Sequence, residues 1–229
     1  MSGIKIRGTG RFAPAKIVTN DDLAKIVDTS DEWITTRTGI QTRHHCTTET
    51  HTDMCVGAAR QALENAGISP EDIGACVVAT FSSDYLSPSA ACMVQRGLGL
   101  PHDAVCFDLN AACSGFLFAI HTMECLLAQA PRKYGLVIGA EMLSRFINWE
   151  DRGTCVLFGD GAGAAVLARD EGRLLAIRLG ADGQREPLYC PGPGRGESLL
   201  RMDGRAVFRF AVEAVPKCIN AVLAQAGMD

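Results

Sequence analysis

The run Val105-Cys106-Phe107-Asp108-Leu109, followed by Asn110-Ala111-Ala112-Cys113-Ser114-Gly115-Phe116, reads as a strand delivered by a turn of small residues into a helix that extends from about Cys113 to Ala128. Working outward from it, Ala75–Thr80 is a second continuous apolar strand, and Pro88 behind a serine opens a helix that closes near Gly97 or Gly99. Cys55, Ala58, Ala59, Ala62, Leu63 and Ala66 recur at helical spacing until Gly67 stops them, and Ile4–Thr9 alternates like a strand with one wet face. On the other side Gly135–Ala140 is a strand. Cys155–Phe158 and Ala164–Ala168 read as a hairpin joined through Gly159–Gly163, and Leu174–Leu179 as one more strand. Gly180–Gly196 is a loop, and a last helix from about Ala206 to Ala226 is expected to kink or break at Pro216. Repeated strand–helix units predict an α/β fold around a largely parallel sheet. The alternation calls for another strand after the helix that Gly227 caps, so the fold is expected to lack its tail.

Composition bounds the function. With 229 residues, 47% hydrophobic and 21% charged, the chain can bury a substantial core, which excludes disorder and fibrous classes. A net charge of −4 argues against a general nucleic-acid binder. The uncharged run Leu109–Met123 is shorter than the roughly 20 residues that a membrane-spanning helix needs, and Met1–Arg7 has no apolar signal region, so a cytoplasmic location is expected. The ten cysteines sit singly in apolar surroundings, as reduced thiols do. His44, His45 and His51 with Cys46 and Cys55 form no zinc spacing and read as a surface loop among threonines, so no metal is expected. Gly159–Gly163 lacks the Lys and Ser/Thr of a phosphate loop and is assigned a structural turn.

Cys113 is the candidate nucleophile. A cysteine in the first turn of a helix meets the positive end of the helix dipole and unpaired N–H groups, which favour the thiolate and can hold an oxyanion. Ala111, Ala112 and Gly115 leave room for a substrate beside the sulfur. The ordinary alternative, a buried structural cysteine, stays open on the residues alone.

Several longer motifs bear on that choice. Thr29-Ser30-Asp31-Glu32-Trp33-Ile34 with Thr36-Arg37-Thr38-Gly39-Ile40, Pro88-Ser89-Ala90-Ala91-Cys92, Ala111-Ala112-Cys113-Ser114-Gly115-Phe116, and Asp151-Arg152-Gly153-Thr154 with Phe158-Gly159-Asp160-Gly161-Ala162-Gly163-Ala164 resemble, in order and spacing, the β-ketoacyl-acyl-carrier-protein synthase III family. Ala181-Asp182-Gly183 and Met202-Asp203-Gly204 with Val207-Phe208 continue the likeness. The resemblance implies a thiolase-like layered αβαβα sandwich, with residues 1–170 as an N-terminal half carrying the nucleophile and 171–229 as the start of an incomplete C-terminal half. It also implies a homodimer that joins an acyl-CoA primer to malonyl-acyl-carrier-protein, with no permanently bound cofactor.

On the same resemblance Cys113 takes the acyl group, Trp33 and Arg152 sandwich the adenine of CoA, Thr29 and Arg37 support its nucleotide end, and Gly204 and Phe208 line the pantetheine tunnel. Against this, Trp33 and Arg37 are also an ordinary helical pair, Arg152 a plain solvated charge, and Phe208 a core residue beside Ala211 and Val212. Arg205 and Arg209 are placed to meet an acidic carrier protein or are simply solvated.

The family's catalytic His and Asn belong to the second half of the fold, and none of His44, His45, His51, His102 or His121 lies in a matching context. Condensation is therefore expected to need groups that this stretch does not supply. His121 reads as a core or interface residue. Ser87 stands where family members often carry a bulky aromatic, which predicts a primer not restricted to acetyl unless Phe81 refills the space. Besides the priming enzyme of fatty-acid synthesis, two readings remain: a starter-unit enzyme of polyketide or quinolone synthesis, and a non-catalytic fragment acting by association.

Overall fold

A computed structural model describes residues 3–170 and 176–228. In chain order the elements are β1 (Gly3–Phe12), β2 (Lys16–Thr19), α1 (Asn20–Ala24), α2 (Asp31–Thr38), β3 (Thr42–His45), α3 (His51–Ala66), β4 (Ile73–Ala79), α4 (Ala90–Leu98), β5 (Val105–Leu109), α5 (Gly115–Leu127), β6 (Tyr134–Met142), α6 (Arg152–Cys155), β7 (Asp160–Asp170), β8 (Leu188–Tyr189), β9 (Arg201–Met202) and α7 (Gly204–Ala226). They fall into two compact units. Of the described residues, the first holds 3–17, 44–142 and 159–170, and the second holds 18–43, 143–158 and 176–228.

The first unit is built on a five-stranded sheet of order β1-β7-β6-β4-β5. All seven residues of β4 are buried, as a strand covered on both faces requires. Cys76 and Val78 face a core shared with Met54, Ala58 and Ala62 of α3 and Val94 of α4, while Ala75, Val77 and Ala79 face Ala119 and Met123 of α5. The strand period of two thus sorts one sequence run between two helical layers. α3 begins with a capping box between Thr50 and Asp53, and its first N–H groups are further held by the Asp84 carboxylate, from His51 at 3.1 Å and Thr52 at 2.8 Å.

Several expectations need correction here. The sheet is mixed, because β7 runs antiparallel to both of its neighbours, β1 and β6, while only β4 pairs in parallel with β5 and β6. The glycines of Gly159–Gly163 do not form a hairpin. Arg152–Cys155 is a helical turn capped by the Asp151 carboxylate, and Gly161 and Gly163 lie inside β7. Pro88 does not open α4: the helix starts at Ala90 behind Ser89, where the Asp108 carboxylate accepts the N–H groups of Ala90 and Ala91 at 2.7 and 2.8 Å. His45 and His51 are buried rather than in a surface loop. His121 is not a core residue: it is partly exposed and pairs with Glu124 at 3.3 Å on its own helix.

The second unit has a small core of Val18, Leu23, Ile34, Ile147, Cys155 and Val156. Arg43, 5% exposed, ties it together by donating to the Val18 carbonyl (3.2 Å), Asn20 Oδ1 (2.7 Å) and the Val156 carbonyl (3.0 Å). Burial weakens this guanidinium's hold on its proton, and its charge is met by oxygens instead of by water. Residues 176–179 carry no regular structure, whereas a strand was expected over Leu174–Leu179; Leu174 and Leu175 lie outside the described residues. α7 runs unbroken through Pro216, since one missing N–H removes a single bond from a 23-residue ladder. None of its residues is buried.

Candidate active site

Cys113 is the middle residue of a 3-10 turn, Ala112–Ser114, between β5 and α5. It therefore stands just ahead of the α-helix, which corrects the expectation that it lies inside the helix's first turn. Ala112 takes φ of 43°, in the left-handed region that a non-glycine residue adopts only when its surroundings hold it there. The hold is visible: the Ala112 N–H donates to Asn110 Oδ1 at 3.2 Å, and the Ser114 N–H donates to the Ala111 carbonyl at 3.2 Å. Gly115 completes the turn by close approach, since a Cβ there would lie 3.1 Å from Cβ of Ala79 on β4. The sequence of small residues thus aims a thiol at the carboxyl end of the sheet, where α/β folds place their sites.

All ten cysteines are free, and Cys113, Cys125 and Cys218 are exposed. Burial pushes the thiols of Cys55 and Cys76 upward and that of Cys106 up to about 11, so those three remain protonated packing groups. Cys113 differs from them in lining a cavity of about 280 Å³ with Ala79, Phe116, Gly139, Glu141 and Gly161. Gly159 also borders it, so the glycine segment assigned a purely structural role forms part of the cavity wall.

One wall was missed in the sequence. Glu141, near the end of β6, accepts from the Phe81 N–H at 3.2 Å and from the hydroxyls of Thr80, at 3.3 Å, and Ser82. Burial pushes its carboxyl upward against the lowering effect of those donors. The available signal was an acidic residue directly continuing the apolar run Gly135–Ala140.

In the second unit, Ser30 caps α2 by accepting the Trp33 N–H, which fixes the indole one turn before Arg37. The guanidinium groups of Arg37 and Arg152 each lie 4.5 Å from the Trp33 ring centroid. Arg152 is held there by donating to the Asp28 carbonyl at 2.7 Å. Thr29 Oγ1 is buried with no hydrogen-bond partner among the described residues. So the structure brings Trp33, Arg37 and Arg152 together, and neither arginine is merely solvated. Gly204 begins α7, with Asp203 as its cap, and Phe208 is 70% exposed, which excludes the core-packing alternative. Arg205 and Arg209 are exposed on the same helix.

The profile of the 3-oxoacyl-[acyl-carrier-protein] synthase III family matches residues 107–183, which include Cys113, Arg152 and the glycine segment. The chain is 44% identical to the β-ketoacyl-[acyl-carrier-protein] synthase III of Clostridium acetobutylicum, over 100% of its own length and 74% of the relative's. It belongs to the β-ketoacyl-acyl-carrier-protein synthase III family. Among solved structures it is similar to the synthase III of Aquifex aeolicus, with TM-score 0.93 and 45% identity over 99% of this chain and 73% of that one. It is also similar to the synthase III of Pseudomonas aeruginosa PAO1, with TM-score 0.92 and 37% identity over 99% and 72%. The family membership makes the fold thiolase-like and the chemistry that of an acyl-transferring condensing enzyme, and the relatives do not favour the starter-unit or the non-catalytic reading.

A base stacked on Trp33 needs about 3.5 Å on each of its faces, more than the 4.5 Å between Arg152 and the indole allows. Any adenine bound there must displace Arg152 from the ring. Trp33→Ala is expected to raise the KM for acyl-CoA about tenfold, the loss of one stacked base, while alkylation of Cys113 by iodoacetamide keeps its rate. An unchanged KM would remove Trp33 from the nucleotide site.

Proposed function

We propose that this chain carries the priming step of fatty-acid synthesis with Cys113 as its nucleophile. The thiolate of Cys113 attacks the thioester carbonyl of an acyl-CoA, the acyl–sulfur bond re-forms on Cys113, and CoA leaves as a thiol carrying the proton that Cys113 gave up. Malonyl-acyl-carrier-protein then loses CO2, its carbanion attacks the acyl-Cys113 thioester, and Cys113 departs as a thiolate that takes up a proton. The Cys113 N–H, inside the turn, is assigned to the oxyanion of each tetrahedral intermediate.

The observation that carries this reading is the thiol of Cys113 on a strand–helix turn, opening into a cavity, in a chain 44% identical to a synthase III. Trp33, Arg152, Thr29 and Arg37 are assigned to the nucleotide of CoA, and Gly204 and Phe208 to its pantetheine arm. A homodimer belongs to the same proposal: among the described residues β5 is an edge strand, its first residue Val105 is 48% exposed, and Leu117 on α5 is 58% exposed. No described helix is long and apolar enough to cross a membrane.

The test is a panel of acyl-CoA lengths with malonyl-acyl-carrier-protein, reading CO2 release and the elongated carrier. In a protein that also supplies the family's His and Asn, release that depends on both substrates is expected, and its extension beyond acetyl follows from the small Ser87 that the resemblance puts in place of a bulky aromatic. Release with neither substrate preferred over its absence would contradict the assignment, and strict acetyl use would contradict the role given to Ser87.

A further inference from the structure

The hydrogen bonds around Glu141 run in one direction. His51 Nε2 lies 3.1 Å from the Ala140 carbonyl, which only accepts, so Nε2 carries the proton, and it also lies 3.0 Å from Thr80 Oγ1. Nδ1 is then the acceptor, 3.6 Å from the Cys55 thiol. Thr80 Oγ1 accepts the Ser82 N–H at 3.1 Å and donates its own proton to Glu141. Ser82 Oγ accepts the Met142 N–H at 2.8 Å and likewise donates to Glu141. The hydroxyls of Thr80 and Ser82 and the Phe81 N–H thus end on one carboxyl, and that carboxyl borders the same cavity as Cys113.

We infer that Glu141 is a positioning residue for the chemistry at Cys113, clamping Thr80–Ser82 to β6 as one wall of the cavity and setting, by its charge, how readily Cys113 ionises. This inference concerns the site assigned above and rests on the reading of Cys113 as its nucleophile. Neither the hydrogen-bond partners of Glu141 nor the described lining of the cavity includes an arginine or lysine. The segment after β4 offers Thr80, Phe81 and Ser82, with Asp84 beyond them turned to the start of α3. From α3 come His51 and Cys55, both in the chain of donors. Opposite on β7 is Gly161, with the Asp160 carboxylate engaged by the Cys46 N–H. From the turn and α5 come Cys113 and Phe116. None of these is an arginine or lysine, so the inference sets an ionised Glu141 against a nucleophilic thiolate that lines the same cavity. The malonyl carboxylate of the proposed substrate would meet the same field.

The pH dependence of Cys113 alkylation by iodoacetamide tests this in the intact chain without any substrate. Glu141→Gln keeps the size and removes the charge, and is expected to lower the alkylation midpoint by about half a pH unit or more. Glu141→Asp keeps the charge but shortens the reach to Thr80 and Ser82; it is expected to leave the midpoint in place while slowing acylation by acyl-CoA about tenfold at an unchanged KM. Should the Gln variant fail to fold, the Asp variant still decides, because a wild-type acylation rate in it removes the clamp. An unmoved midpoint in a folded Glu141→Gln protein overturns the inference. If the wild type takes no acyl group at all, the proposed function fails, whereas the alkylation midpoint still judges Glu141.

Discussion

Cys113→Ala is expected to abolish acyl transfer from acyl-CoA and to reduce condensation by at least about a thousandfold, the usual scale for removing a nucleophile. The same protein should keep its melting temperature, because an exposed side chain on a turn contributes within about 0.5 kcal/mol to stability. That pairing is what separates a nucleophile from a packing cysteine. Cys76→Ala should show the reverse, a loss of stability from the fully buried face of β4, with the acyl transfer of whatever protein remains folded unchanged. Steady-state rates and a thermal melt on the two variants check both halves of the prediction.

The second large effect is on folding. β1 lies against α3 through Gly10, where a Cβ would overlap the Ala58 carbonyl and stand 2.5 Å from the Ala62 backbone nitrogen. Gly8 repeats the contact one step earlier, 2.5 Å from both the Ala62 carbonyl and the Ala66 nitrogen. Both obstacles are backbone, so no side-chain rotation relieves them. Gly10→Ala must push the helix off the sheet, and overpacking of this kind costs about 3 kcal/mol or more when the neighbour is a helix backbone. A fall in the denaturation midpoint of that size is expected, with Gly163→Ala, where a Cβ meets nothing within 4 Å, as the near-neutral comparison in the same sheet.

How much of this was legible in the sequence follows from the range of each signal. β5 was read to its residue limits and the end of α3 to its last residue, Ala66, because their apolar periods and the stop at Gly67 are local. The glycine segment misled for the same reason. A Gly-Asp-Gly-Ala-Gly run has the composition of a turn, and only the sheet shows that Gly161 is paired with Glu141 as an interior residue of β7. Likewise His51 was placed on the surface by its threonine neighbours, while its partners Thr80 and Ala140 lie 29 and 89 residues away. At the site, Cys113 was visible as a thiol on a strand–helix turn. The Glu141 network was not, since its donors come from a segment about sixty residues earlier. Trp33 and Arg152 were joined in advance by family resemblance alone, and their ring contact is a fact of the folded second unit.

The central claim is that Cys113, and no other exposed thiol, receives the acyl group. Peptide mapping of the protein after incubation with an acyl-CoA reads this directly, because Cys113, Cys125 and Cys218 are chemically alike and differ in their surroundings. The account predicts one acyl increment, confined to the peptide that bears Cys113. An increment on the Cys125 or Cys218 peptide, or none on any peptide, would contradict it.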